Sequence, residues 1–270
     1  MELNGAVGIL TGASRGLGAE LAERLAARGV NLALAARSEE DLEITAKKAR
    51  RHGVRVLAER ADVADAGDLE NLVDETTEEL GPLDLLINNA GMERPARFET
   101  YGIDEIQAMV TTNLTSAALL SRLVAPGMIE RGRGHIVNIS SLGGKTAYPY
   151  NSLYSATKHG LVGLSWSLRE ELKPHGIGVS VICPGQIRDA GMFHSRHPDH
   201  KTSPLLGTVA LDKVATATIK AIEKNRAEMI VTPGLGRVVD VMEAISHDLT
   251  AAVQRRLGIY RYLESDVTDE

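Results

Sequence analysis

The chain has 270 residues, with 30 basic and 36 acidic side chains and a net charge of −6 at pH 7. No basic block stands out, which removes the electrostatic case for nucleic-acid binding. Its one cysteine, Cys183, cannot make an intrachain disulfide, and no apolar run reaches the length of about 18 residues that a spanning helix needs.

Strand and helix patterns alternate without a break from Ala6 to Val231. That alternation predicts a doubly wound, Rossmann-type α/β fold: one parallel sheet of about seven strands with helices on both faces, three layers α/β/α. Such a sheet can hold a chain of this length in one domain. Residues 6–10 are the first apolar strand, followed at once by Thr11-Gly12-Ala13-Ser14-Arg15-Gly16-Leu17-Gly18. Helical periodicity then runs over residues 19–28, with Leu21, Ala22 and Leu25 on one face. Strand, glycine turn and helix is how this fold holds a dinucleotide pyrophosphate at a helix N-terminus. The second strand, residues 31–36, ends 18 residues beyond Gly18. An acidic side chain there would bind the ribose 2′-hydroxyl of NAD. Here Ala36 is followed by Arg37, and Arg15 sits in the glycine turn. Two guanidiniums suit a 2′-phosphate, so the predicted cofactor is NADP(H) in preference to NAD(H).

Residues 55–60 and 83–87 are the next strands, and the latter ends in Asn88-Asn89-Ala90-Gly91. Small and amide residues at the C-terminal end of a strand fit a cofactor crevice. Asn113 lies inside a helical pattern over residues 103–123. A poor helix former at such a place either points to solvent or marks a local kink with a carbonyl free for water. A strand over residues 135–139 leads into Ser140 and Ser141. The helix predicted over residues 152–172 carries Tyr154 and Lys158. Residues at i and i+4 share a helix face, so the ammonium lies beside the phenol, favours phenolate and equips Tyr154 as a general acid or base. Ser141, 13 residues before Tyr154, adds a hydroxyl for the same carbonyl oxygen. Strands over residues 178–182 and 229–231 complete the sheet, with Cys183 read as a buried thiol.

Residues 190–210 form a polar loop with His194, His197 and His200. They lack a Cys partner, and no metal site is predicted. Residues 236–257 carry Val238, Val239, Val241, Met242, Ile245 and Leu249 in the pattern of one amphipathic helix. It is expected to dock on its own or a partner subunit. Peripheral membrane contact is the alternative, against which Asp240, Glu243 and Asp248 weigh. The N-terminal residues lack the regions of a signal peptide, which gives a cytoplasmic expectation.

Together these residues resemble the short-chain dehydrogenase/reductase family over residues 3–235. Thr11 to Gly18 matches its glycine motif and Asn88 to Gly91 its Asn-Asn-Ala-Gly motif. Asp62-Val63 matches its adenine-contacting pair, and Pro184-Gly185 its motif after the sixth strand. Asn113, Ser141, Tyr154 and Lys158 match its catalytic tetrad. The resemblance implies reversible hydride transfer between a nicotinamide and the carbon of a secondary alcohol or ketone, a small-molecule substrate. Tyr154 would carry the proton, Ser141 hold the substrate oxygen, Lys158 tune Tyr154 and bind the nicotinamide ribose, and Asn113 support the lysine through water. It implies cofactor contacts at Gly12, Ser14, Arg15, Gly16, Leu17, Gly18, Arg37, Asp62, Val63, Asn89, Ala90, Gly91, Tyr154, Lys158, Pro184, Gly185 and Ile187. One departure is Asp189, where the family has a threonine that holds the carboxamide; the backbone of Ile187 is left for that contact. The expected organisation is one domain over residues 1–235, with residues 190–210 as substrate lid, extended by a helical tail over 236–270. The helix over 152–172 is apolar all round, at Leu161, Val162, Leu164, Trp166 and Leu168, which with the family's habit predicts a homodimer or homotetramer. A catalytically silent NADP(H)-binding regulator and an NAD-dependent dehydrogenase of a hydrophobic alcohol stand as alternatives.

Overall fold

The computed structural model describes residues 1–188, 207–233, 236–265 and 267. Its strands are β1 (Val7–Thr11), β2 (Asn31–Ala36), β3 (Val56–Arg60), β4 (Leu85–Asn88), β5 (Gly134–Ile139), β6 (Ile177–Pro184), β7 (Ile187–Arg188), β8 (Val209–Ala210) and β9 (Glu228–Val231). Seven of them form one sheet in the order β3-β2-β1-β4-β5-β6-β9, and every neighbouring pair is parallel. β7 and β8 make a small ladder of their own. The helices are α1 (Gly16–Ala26), α2 (Glu39–Arg50), α3 (Ala66–Leu80), α4 (Ile103–Val110), α5 (Ser116–Arg131), α6 (Ser152–Leu172), α7 (Leu211–Glu223), α8 (Gly236–Ile245), α9 (His247–Arg256) and α10 (Ile259–Glu264).

The predicted three-layer architecture is present. Strands covered on both faces must be apolar throughout, and β1, β4, β5 and β6 are buried at every residue. Alternation then sends successive side chains to opposite layers. Val7 and Ile9 pack with Leu69 and Leu72 of α3 and Leu120 and Val124 of α5. Leu10 faces the other way, onto Leu21 and Leu25 of α1, Leu42 of α2 and Ile219 of α7. The strand order reverses between β1 and β4, so a crevice opens at their C-terminal ends, where this fold class places its ligands.

Two predicted helices are broken. The pattern over residues 103–123 divides into α4 and α5 around a π turn, Thr111–Thr115, in which the Ser116 N–H bonds to the Thr111 carbonyl. Asn113 occupies that turn and is 1 % exposed, so it marks a kink and does not point to solvent. The single tail helix is in fact α8 and α9, because Ser246 takes an extended conformation and accepts from the Leu249 N–H at 3.3 Å, starting a new helix. Two of its acidic side chains are paired: Asp240 lies 3.8 Å from Lys145, and Glu243 is 2.6 Å from His247. Val238, Val241, Ile245 and Leu249 are exposed, as is Trp166 of α6. Asp189, the three histidines and residues 190–206 of the expected lid lie outside the described residues. Cys183 is buried, and burial pushes its thiol up to about 12.

At the N-terminal end of β5, opposite the crevice along the strands, His135 is 1 % exposed. Ser180 Oγ donates to the Arg226 carbonyl at 2.5 Å, so it accepts from His135 Nε2 at 2.8 Å, which places the proton of the neutral ring on Nε2. Burial, with the N-terminal ammonium and Arg169 nearby, lowers the His135 pKa to about 3. The unfolded chain therefore takes up a proton near pH 6.5 that the folded chain refuses until about pH 3. Stability from this site is complete above the unfolded value and falls as pH drops through that window. Denaturant titrations at pH 7 and pH 4.5 should show a loss of roughly 2–3 kcal/mol from His135 alone. His135→Gln should flatten the pH dependence by that amount, and identical pH slopes for the two proteins would refute the assignment.

Candidate active site

The crevice is a cleft of about 910 Å³ lined by the ends of β1, β2, β4, β5 and β6 and the segments that follow them. Its first end is built by three glycines. Gly12 and Gly16 take left-handed φ of 64° and 57°, which favours glycine. A Cβ on Gly18 would lie 2.1 Å from the Gly12 carbonyl, so α1 can start against the turn only with glycine there. A Cβ on Gly12 would lie 2.9 Å from Ala90 Cα, because the turn after β4 packs directly on the glycine loop. Thr11 Oγ1 accepts from the N–H groups of Asn89 and Ala90, both at 3.0 Å, and Asn89 Nδ2 donates to the carbonyls of Thr11 and Gly12 at 3.0 and 3.1 Å. These bonds weld the two sides of the topological switch.

The N-terminus of α1 carries no side-chain cap and no acidic residue in its first turn. Its first N–H groups and the helix dipole are thus presented to the cleft, a fit for the pyrophosphate of a dinucleotide. Arg15 and Arg37 are exposed and line the same end, and neither forms an ion pair among the described residues. Ser38 and Asp41 also line it, and the sequence reading missed both. Ser38 caps α2 and donates to Asp41 Oδ2 at 2.9 Å, a pairing signalled by the S-x-x-D spacing. Asp62 and Val63 follow β3, and the Asp62 carboxylate turns back to accept from the Ala64 N–H. Ser14, Leu17, Gly91, Pro184, Gly185 and Ile187 complete the set of expected cofactor residues, all lining the cleft.

The second end gathers the expected catalytic side chains around two more glycines. The position a Cβ would take on Gly143 is 3.5 Å from Tyr154 Cε1 and 3.6 Å from Ser141 Oγ, so those two side chains flank one residue. Ser141 Oγ accepts from the Gly143 N–H at 3.1 Å, which leaves its own proton to donate. The corresponding position on Gly91 is 3.3 Å from Asn113 Oδ1 and 3.5 Å from Lys158 Nζ. Lys158 Nζ donates to the Ile139 carbonyl at 2.9 Å and lies 5.5 Å from the Tyr154 ring centroid. Lys158 is 3 % exposed, and burial lowers its pKa to about 8, against a partial pull upward from Glu93 and Cys183.

Asn113 does more than the sequence suggested. Its side chain pairs with both backbone groups of Met92, accepting at 2.8 Å and donating at 2.9 Å, and donates to Thr157 Oγ1 at 3.1 Å. Thr157 in turn bonds the Tyr154 carbonyl at 2.8 Å. The π turn thereby ties the loop after β4 to the helix that carries Tyr154 and Lys158. A second tie comes from Gly144, where a Cβ would meet the Lys158 carbonyl at 2.6 Å, and from Ser140 Oγ, which donates to that carbonyl at 2.9 Å. Met92, Pro95, Tyr148, Tyr150 and Leu263 also line this end, and nothing in their local spacing marked them.

The family model described as short chain dehydrogenase matches residues 6–201. The ketoacyl reductase HetN of Nostoc sp. is 38 % identical over 263 residues, covering 96 % of this chain and 90 % of that protein. A crystal structure of an actinorhodin polyketide ketoreductase variant with NADPH superposes with a TM-score of 0.79 at 33 % identity, covering 86 % of this chain and 97 % of that one. A short-chain dehydrogenase/reductase from Burkholderia phymatum in complex with NAD gives 0.83 at 26 % identity, covering 92 % and 96 %. This chain therefore belongs to the short-chain dehydrogenase family, oxidoreductases that act on CH–OH groups with a nicotinamide cofactor.

Proposed function

We propose that this protein interconverts a ketone and its secondary alcohol with NADP(H), and that Tyr154 is the general acid and base. The observation that carries the reading is the convergence of Ser141, Tyr154, Lys158 and Asn113 about Gly91 and Gly143, in the cleft that Arg15 and Arg37 also line, without an ion pair among the described residues. The relative from Nostoc, named a ketoacyl reductase, supports a ketone as substrate.

The bound cofactor supplies or accepts the hydride; the protein supplies position and charge. In reduction Tyr154 Oη gives its proton to the carbonyl oxygen, and in oxidation it takes that proton from the hydroxyl. Ser141 Oγ donates to the same oxygen, where negative charge grows as the reaction proceeds. Lys158, buried beside the phenol, places a positive charge 5.5 Å from the ring centroid, which favours phenolate. Asn113 fixes the α6 turn that holds both. Arg15 and Arg37 would lie beside the adenosine ribose of a bound cofactor, where each can add a charge-assisted contact to a 2′-phosphate.

Tyr154→Phe should cut turnover by at least about 100-fold while NADPH affinity stays within a few-fold, since the hydroxyl acts chiefly in the transition state. Steady-state reduction of ketones with a fluorescence titration of NADPH tests this, and a Phe variant that keeps most of its rate would remove Tyr154 from the role.

Cofactor choice has its own test. Charge-assisted bonds are worth roughly 1.5–3 kcal/mol each, less at exposed side chains in salt, so NADPH should bind at least about tenfold more tightly than NADH. Arg37→Asp should reverse the order, because a carboxylate repels the phosphate and accepts from a 2′-hydroxyl. Equal affinity of the wild type for both cofactors, unchanged in Arg37→Asp, would contradict the assignment.

A further inference from the structure

The last helix, α10, lies beyond residues 6–201 that the family model matches, yet Leu263 on it lines the cleft. Its neighbour Glu264 reaches two loops at once. The carboxylate pairs with Arg97 Nη2 at 3.3 Å and lies near enough to the Tyr150 phenol to hold its pKa above the ordinary value. The Arg97 guanidinium lies 5.6 Å from the centroid of the Tyr150 ring, closing a three-way clasp. Arg97 belongs to the segment that follows β4 and carries Met92 and Pro95, and Tyr150 stands four residues before Tyr154. These two loops also bond to each other, from the Ala96 N–H to the Tyr150 carbonyl at 2.8 Å.

Tyr150 holds φ of 63°, a left-handed conformation that a bulky side chain adopts only where its surroundings impose it. Arg97 and Glu264 are each about half exposed, so their pair adds little to stability. Its effect is positional. Ile259, at the start of the same helix, is 3 % exposed and anchors the other end. The helix is thus fixed at both ends with Leu263 between, turned to the cleft.

We propose that Leu263 is a specificity-determining wall of the substrate site, and that the Arg97–Glu264–Tyr150 clasp is the device that positions it. With the carbonyl at Tyr154 (the part that rests on the function proposed above), the wall limits how far an apolar substituent of the ketone extends. The substrate class is then a ketone with a compact apolar arm, held against Leu263, Met92 and Pro95. Removing side-chain carbons from such a wall should favour longer arms by about tenfold, the discrimination a few methylenes provide in an apolar pocket.

The test uses the full chain, NADPH and methyl ketones from 2-butanone to 2-undecanone. Leu263→Ala should raise the ratio of kcat/KM for long over short ketones about tenfold, chiefly through KM and without changing NADPH affinity. Leu263→Trp should lower that ratio. Glu264→Ala should shift it in the same direction as Leu263→Ala, while the rate on 2-butanone stays within about twofold of wild type. A ratio unmoved by all three variants would overturn the proposal. A second readout does not need turnover: the thiol introduced by Leu263→Cys should be alkylated more slowly when NADPH and 2-decanone are present than with NADPH alone. Cys183 is buried and gives a low background. Protection by 2-decanone supports the wall even if no ketone is reduced, an outcome that would sink only the proposed reaction. Equal labelling with and without 2-decanone would overturn the wall itself.

Discussion

Carrying an ammonium ion into the interior is the constraint on which the site depends. Lys158 is almost wholly buried, and the loss of water brings its pKa down to about 8. One carbonyl, that of Ile139 at the end of β5, receives it directly. Everything else around it must come close without blocking it, which explains glycine at 91 and at 144. A side chain at 144 would collide with the backbone of Lys158, and one at 91 would occupy the space between its ammonium and Asn113. In the proposed mechanism a charge held this way acts on Tyr154 with little solvent screening.

The same economy governs the other half of the cleft. Reversal of strand order between β1 and β4 opens the crevice, and a single hydroxyl, Thr11 Oγ1, closes its floor by accepting from two successive N–H groups. Asn89 returns two bonds to the glycine loop. Farther along, Asn88 donates to Asn138 Oδ1 at 2.8 Å, and Asn138 donates to Ser165 Oγ at 2.9 Å, linking β4, β5 and α6. The two asparagines after the apolar run of β4 thus have separate tasks, one toward the glycine loop and one toward the helix that carries Tyr154 and Lys158.

Much of this is legible in the sequence. The continuous apolar strands, the glycine turn and α6, whose ends are those predicted, follow from short-range rules. Tyr154 and Lys158 share a helix face at i and i+4, a common spacing that gains meaning from the glycine turn, Arg37 after the second strand and Asn88 to Gly91 elsewhere in the chain. Asn113 was ambiguous because propensity alone does not say whether a poor helix former is solvated or is bonded by a distant loop; the partners are Met92 and Thr157, 21 and 44 residues away. The break at Ser246 was hidden by apolar residues that keep their period across it. Leu263 and Tyr150 were invisible for a different reason. They sit where Glu264 meets Arg97, 167 residues apart, and no local pattern encodes such a pairing.

The central claim is that the buried Lys158 ammonium makes Tyr154 a base at moderate pH. Its most direct test is the pH dependence of kcat/KM for oxidation of a secondary alcohol by NADP⁺, for wild type and for the residual rate of Lys158→Met. The account predicts a wild-type profile that rises through an apparent pKa well below the value of about 10 for free tyrosine, and a Lys158→Met profile that rises only near it. Wild-type activity that begins to rise only near pH 10, or two profiles that coincide, would contradict it.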